Sequence, residues 1–268
     1  MRRAAQTMHY SEYQPCTGLR PYVVAYWHFR VSAEVGAIEH CVPLTGGLLL
    51  VVNLRHGAAR LFGPRLAPLA TRVVGGDSYW GVHFWPGSGP ALLGPQTLGL
   101  REGSLPAVSL LGAEAVARLV DELTAARGPA SATRALDRAL GGRLRSVAPL
   151  DPLVMAAVLR IVASGGRTPV RRLAAESGLS PRQLRRRFRK AVELTPKELA
   201  RLRRVRGSAA SAAVSTAERW IDIAAEHGYS DQAHLGREFA ALLGLPPGAF
   251  ARHASRIDHG PLVADPRG

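Results

Sequence analysis

Arginines crowd one stretch of this chain at a spacing that suits contact with a polyanion. Residues 180–206, SPRQLRRRFRKAVELTPKELARLRRVR, hold eleven of the chain's basic residues against only Glu193 and Glu198. At about 100° per residue, Arg182, Arg185, Arg186 and Arg189 fall on one helical face. Leu184, Phe188 and Ala191 fall on the opposite face. Guanidinium groups so placed can meet guanine O6 and N7 in pairs or clamp phosphate oxygens. A merely solvated charged face would carry the same pattern, so the neighbouring elements decide between the two.

Those elements form a repeated unit. Ser180 is an N-cap residue type and Pro181 suits the first helical position. Just before them, Val170 to Leu179 reads as a short helix with Leu173 and Ala174 inward and a stop at Gly178. Helix, glycine-bearing turn and basic helix is the helix-turn-helix pattern, whose second helix enters the DNA major groove. Leu173 to Ser180 (LAAESGLS) is echoed fifty residues on by Ile223 to Ser230 (IAAEHGYS). Beyond that the offset is fifty-one: Leu184, Phe188 and Leu194-Thr195-Pro196 recur as Leu235, Phe239 and Leu245-Pro246-Pro247. The second unit therefore has one extra residue in its turn.

At these residues the chain resembles the AraC/XylS family of bacterial transcription regulators. The signature is Ala225-x-x-Gly228-Tyr229-x-Asp231-Gln232-x-His234-Leu235-x-Arg237-x-Phe239, then Gly244-x-Pro246-Pro247. The resemblance spans roughly Asp151 to Ala254. It implies two helix-turn-helix units on a linker helix, reading adjacent major-groove segments of double-stranded DNA. The first unit is expected near 170–191, the linker near 196–213 and the second unit near 220–243.

Arg182, Arg185 and Arg186 lie toward the start of the first reading helix, where base edges are met. Ser180, Arg187, Arg189 and Lys190 suit the DNA backbone. In the second helix, His234 and Arg237 have base-reading chemistry, and Ser230 and Gln232 suit phosphates. A capping or surface histidine is the alternative for His234. The second unit is locally acidic, so the first is expected to supply most of the affinity. The sequence departs from the family at Glu193, where a glycine usually closes the helix; the second unit keeps it as Gly244. It departs again in the small-residue end of the linker, GSAASAAV, where Gly207 costs about 1 kcal/mol in a helix interior.

The amino-terminal half reads as short strands with Gly/Pro punctuation, as in a small β-barrel or sandwich. The segments are Tyr22–Val31, Leu48–Asn53, Ala59–Phe62, Arg72–Val74 and Tyr79–Trp85. Tyr22-x-x-x-Tyr26-Trp27 and Gly81-Val82-x-Phe84-x-Pro86-Gly87, with Leu92-Leu93-Gly94 after, resemble the cupin-like sensor of some AraC-type regulators. That resemblance implies a small-molecule effector, with Trp27, Trp80, Phe84 and Trp85 as pocket or core aromatics. Helices are expected at 112–126, with Val116, Leu119, Val120 and Leu123 as an apolar stripe, and at 131–144. The first either pairs two subunits in a homodimer or covers its own barrel.

The expected fold class is α+β. A cupin-like barrel over 1–145 begins with a loose arm at 1–18; an all-α DNA-binding domain over 151–255 follows, then a disordered tail at 256–268. The net charge of +15, +6 in residues 1–150 and +9 in 151–268, favours polyanions. Cys16 and Cys41 suggest no disulfide framework and suit a reducing cytosol. Neither a secretory leader nor an apolar run of about 18 residues is apparent, so no membrane partner and a cytoplasmic, nucleoid-associated location are expected. There is no P-loop, His-x-x-x-His pair or Gly-x-Ser-x-Gly elbow. His28, His40, Cys41, His56 and His83 lack a metal-ligand spacing, so no metal, cofactor or catalytic residue is assigned. Two cysteines also exclude the four-cysteine zinc module of DNA-repair relatives. The leading reading is a transcription regulator, not an enzyme, which would touch RNA polymerase if it activates. The alternatives are a cupin-type metalloenzyme with a DNA-binding appendage and a nonspecific DNA coater.

Overall fold

The computed structural model describes residues 7–42, 44–214 and 220–260, excluding the side chains of residues 213 and 214. Its first half is a β-sheet layer that runs β1 (Met8–Tyr13), β2 (Val23–Val31), β3 (Ile38–Val42), β4 (Leu49–Asn53), β5 (Ala58–Phe62), β6 (Leu69–Val73), β7 (Ser78–Phe84) and β8 (Ser104–Pro106). Among the described residues the main sheet has seven strands in the order β8-β5-β4-β7-β2-β1-β9, where β9 is Ile257–His259. β3 and β6 pair separately and cover part of one face. This is the open, sandwich-like form of the expected β sensor.

Side chains alternate across the strands, so each face has its own core. Tyr26, Leu50, Val52, Trp80, Val82 and Phe84 point to one side. There they meet helices α3 (Ala113–Thr124) and α4 (Pro129–Gly141), which follow two short ones, α1 (Gly89–Leu93) and α2 (Val108–Leu111). Trp27, Phe29, Val31 and Leu49 point the other way, toward Val73 of the β3–β6 pair. The Tyr26 hydroxyl donates to Asp137 Oδ1 at 2.7 Å, tying β2 to α4.

Two expectations change here, and of the two readings of α3 one is favoured. The loose arm expected over residues 1–18 contains strand β1, whose Met8 is fully buried. The disordered tail expected over 256–268 contributes β9, parallel to β1 with Met8 opposite Ile257; residues 261–268 lie outside those described. Both strands are short segments without alternation strong enough to announce them, and each is stabilised by pairing with a distant partner. The apolar stripe of α3 is covered by its own domain: Val116, Leu119, Val120 and Leu123 are buried against the sheet and α4. What α3 leaves outside includes Glu114, Ala117, Arg118 and Asp121. The stripe is therefore not free to pair subunits.

The second half is helical: α5 (Pro152–Ala163), α6 (Val170–Glu176), α7 (Pro181–Val192), α8 (Pro196–Val214), α9 (Trp220–Glu226), α10 (Gln232–Leu243) and α11 (Pro247–Ala254). α8 runs unbroken through Gly207, a span of about 28 Å at 1.5 Å per residue. Its small residues have a packing reason. A Cβ on Gly207 would lie 2.8 Å from the His227 ring, and Ser211 Oγ contacts His227 Nε2 at 2.9 Å. None of the described helices is long and apolar enough to cross a membrane.

Replacing Tyr26 with phenylalanine removes a buried hydroxyl bonded to a carboxylate. Urea unfolding should show a loss of about 1.5–3 kcal/mol with the m-value unchanged.

Candidate nucleic-acid interface

The two helical units are built by the same local chemistry. α6 closes with Gly178 at φ +63°, and α9 closes with Gly228 at φ +75°. In both, the next amide reaches back to the helix: Leu179 N donates to Ala174 O at 2.9 Å, and Tyr229 N to Ala224 O at 2.8 Å. This left-handed closure requires a residue without a Cβ penalty, which explains the repeated glycine. The chain then re-enters a helix through a side-chain cap. Ser180 Oγ accepts from Gln183 N at 3.3 Å, while Gln183 Oε1 accepts from Ser180 N at 2.9 Å, completing a capping box. In the second unit Asp231 caps α10, accepting from His234 N at 2.6 Å.

Helix α7 divides by face as its sequence requires. Leu184, Phe188 and Val192 are buried, each apolar side chain of this size contributing about 1.5–3 kcal/mol. Arg182, Arg185, Arg186, Arg189 and Lys190 are exposed and make no ion pair with any described residue. Arg187 departs from its expected DNA-backbone role. Its Nε donates to Asp151 Oδ2 at 2.9 Å, and Asp151 also caps α5 through Leu153 N and Val154 N. Burial pushes the Asp151 carboxyl up, but the Arg187 bond and the two amides outweigh it and hold the group below its ordinary 3.8. Arg187 thus ties α7 to the start of α5.

The second unit mirrors that lock with opposite charges. Glu238, fifty-one residues after Arg187, accepts two bonds from Arg201 of α8 at 2.8 and 3.0 Å. Of the expected contacts on α10, Arg237 and Gln232 are exposed. His234 is half-buried, edge-on to Tyr229 at 5.2 Å, with Nδ1 3.2 Å from Ser230 Oγ. Ser230 Oγ also donates to Asp231 Oδ2 at 3.0 Å. Ser230 and His234 are therefore engaged in shaping the turn, and Arg237 is the freer of the two expected base readers.

The four aromatics expected as an effector pocket do not converge. Trp80 and Phe84 are in the core against α3 and α4, Trp27 is on the opposite sheet face, and Trp85 belongs to the core shared with the helical domain. Trp85 Nε1 donates to Arg20 O at 3.1 Å, and all four side chains are buried. They are packing residues, because alternation along β2 and β7 sends them to different layers.

A cavity of about 330 Å³ lies elsewhere, between the β3–β6 pair and α10–α11. Its walls include Cys41, Pro68 and Leu243, and its rim includes His40, Arg252 and His253. His40 Nδ1 lies 3.1 Å from His253 Nε2. Burial, then the neighbouring His253, lowers His40 to about 4; burial, then Arg256, lowers His253. Both rings are neutral at pH 7. Burial pushes the Cys41 thiol up to about 11, and it donates to Leu243 O at 3.1 Å. Among the described residues no three His, Cys, Asp or Glu side chains form a group suited to a metal ion.

Sequence reasoning missed Arg101, which bonds to Glu193 O and Glu198 Oε1, and it missed His253. No signal in either segment points to a partner so distant, although the departure at Glu193 marked the position.

Residues 173–253 match a family described as a helix-turn-helix domain, and residues 11–104 match a domain of unknown function (DUF6597). The solved structures similar to this chain include an AraC-type DNA-binding-domain regulator from Chromobacterium violaceum. It is 19% identical over 38% of this chain and 92% of its own, with a TM-score of 0.36. The C-terminal domain of AraT from Geobacillus stearothermophilus is 21% identical over 39% of this chain and 88% of its own, at 0.35. ToxT from Vibrio cholerae O395 is 10% identical over 82% of this chain and 97% of its own, at 0.47. No curated protein sequence matches the chain.

Arg187→Ala should lower stability by up to about 1 kcal/mol at pH 7, since the pair is partly solvent-screened. A depressed carboxyl stabilises above its unfolded value and loses that contribution as pH falls through the folded one. The difference from wild type should therefore shrink below about pH 3.8, while Arg186→Ala should leave unfolding unchanged at both pH values.

Proposed function

We propose that this chain is a DNA-binding regulator of the AraC/XylS family, a reading that its matched helix-turn-helix domain supports, and that it reads its sites chiefly with Arg182, Arg185 and Arg186. The observation that supports the assignment is the unpaired, exposed guanidinium row on α7, set beside a capped turn. Arg189, Lys190, Ser180 and Gln232 would hold phosphates, and Arg237 would add discrimination from the second unit. Arg187 is omitted because Asp151 occupies it.

The amino-terminal domain receives a small-molecule effector, and the interdomain cavity is the place that favours this reading. A ligand there would touch the β3–β6 pair and α10–α11 together, so it could bind one domain arrangement more tightly than another. The protein regulates rather than catalyses, and it acts on DNA in the cytoplasm. The cupin-enzyme reading requires a resident metal, and stoichiometric iron, zinc or manganese in the purified protein would favour it instead.

Gel-shift titration tests the division of labour. Alanine at Arg185 or Arg186 should cost about 1–3 kcal/mol of binding each, roughly 5- to 150-fold in Kd. Alanine at Arg237 should cost clearly less. Equal losses at the three positions would overturn the assignment, and the absence of any protected sequence in footprinting would favour nonspecific coating.

A further inference from the structure

We propose that Arg101, in the sensor domain, is a positioning residue for DNA reading: it holds the joint between the first reading helix and the linker helix. The inference rests on the regulator reading above. Arg101 Nη1 donates to Glu193 O at 3.0 Å, and its Nη2 pairs with Glu198 Oε1 at 2.9 Å. Gly99 N donates to Glu193 Oε1 at 2.5 Å. Glu193 immediately follows α7, Leu194 and Thr195 complete the joint to α8, and Glu198 caps α8 by accepting from Thr195 N at 2.6 Å. One loop of the sensor therefore grips the end of the reading helix and the start of the linker at once.

Backbone strain concentrates at the same contact. Among the described residues, Glu193 (φ 62°) and Glu102 (φ 57°) are the non-glycine residues with positive φ; Glu102 follows Arg101 in sequence and Glu193 meets it in space. A glycine would relieve Glu193, as Gly244 does at the equivalent place in the second unit (φ 73°). Glutamate persists in a conformation that disfavours it and makes a contact that glycine lacks, a pattern expected of a functional constraint. The Glu102 carboxylate accepts from Leu66 N and Ala67 N, which fixes the loop that presents Arg101.

The sensor also holds the second unit, through β9 on β1, Cys41 on Leu243 and His40 on His253. Both reading faces remain open, with Arg182, Arg185, Arg186 and Arg237 all exposed. Docking therefore acts on DNA reading through the relative setting of α7 and α10, and not by covering either. The Arg101 contact is the charged part of that hold at the first unit. With it in place the two helices are preset for adjacent groove segments, and less ordering is left for the moment of binding.

The test uses the full chain and a duplex that it selects from a random-sequence pool. The same duplex with the segment under the second unit scrambled serves as control. Arg101→Ala and Glu193→Gly should each weaken binding to the intact duplex by at least about fivefold, while changing the control by less than about twofold. Arg101→Lys should recover part of the loss. Glu193→Gly should melt no lower than wild type, which separates positioning from simple support of the fold. Wild-type or tighter binding by both variants would overturn the proposal, as would equal losses on the two duplexes or a fall in melting temperature matching the loss in Glu193→Gly. Failure to select any duplex would instead sink the underlying reading of the chain as a sequence-specific regulator.

Discussion

The structure depends on one partition, repeated twice: a short helix buries an apolar ridge and must turn its polar face to water. In α7 the ridge is Leu184, Phe188 and Val192; in α10 it is Leu235, Phe239, Leu242 and Leu243. Burying an unpaired guanidinium is far more costly than burying an alkyl chain, so the arginines between those ridge positions have nowhere to go but outward. Charge on α7 is thus positioned by hydrophobic burial, and the capping box and the Arg187–Asp151 pair set the angle at which it is presented.

The two units share a frame but not a charge balance. The same helical position is a cation in one unit and an anion in the other, Arg187 and Glu238, and in both it is consumed in an ion pair with another helix, at the start of α5 and on α8. What remains outside is then a row of cations on α7 and a single arginine on α10. The two units thus keep a common frame and differ in surface charge.

The halves of the chain do not stand apart. Cys41, Leu44 and Trp85 of the β half lie in one core with the helical ridges. A Cβ on Gly46 would fall 2.5 Å from Leu199 of α8. A β half so closely docked can influence the helical units only by shifting a packed, two-sided contact, because such interfaces repack in discrete steps. Polar links cross the same boundary, among them those at Arg101, at Cys41–Leu243 and at His40–His253.

Local pattern sufficed for most of the helical half. Periodicity, the Ser180-Pro181 start, the paired glycines and the fifty-residue echo are all written within a turn or two of the atoms they organise. The central strands were legible for the same reason, since Tyr22–Val31 and Leu48–Asn53 carry their own apolar bias. Long-range pairing was not. Strands β1, β3 and β9 exist because remote partners supply their hydrogen bonds, and the α3 stripe reads identically whether it covers its own sheet or another subunit. The aromatics of β2 and β7 were recognisable as buried, yet which layer each one enters depends on register and on what packs above it. By itself, then, the sequence determined the duplicated helical modules and their arginine face, because those follow from short-range sterics and amphipathicity. Only the tertiary structure decided which cations remain free, where the cavity lies and how the β half holds the helical units, because those are settled by contacts between residues as distant in sequence as His9 and Asp258, 249 positions apart.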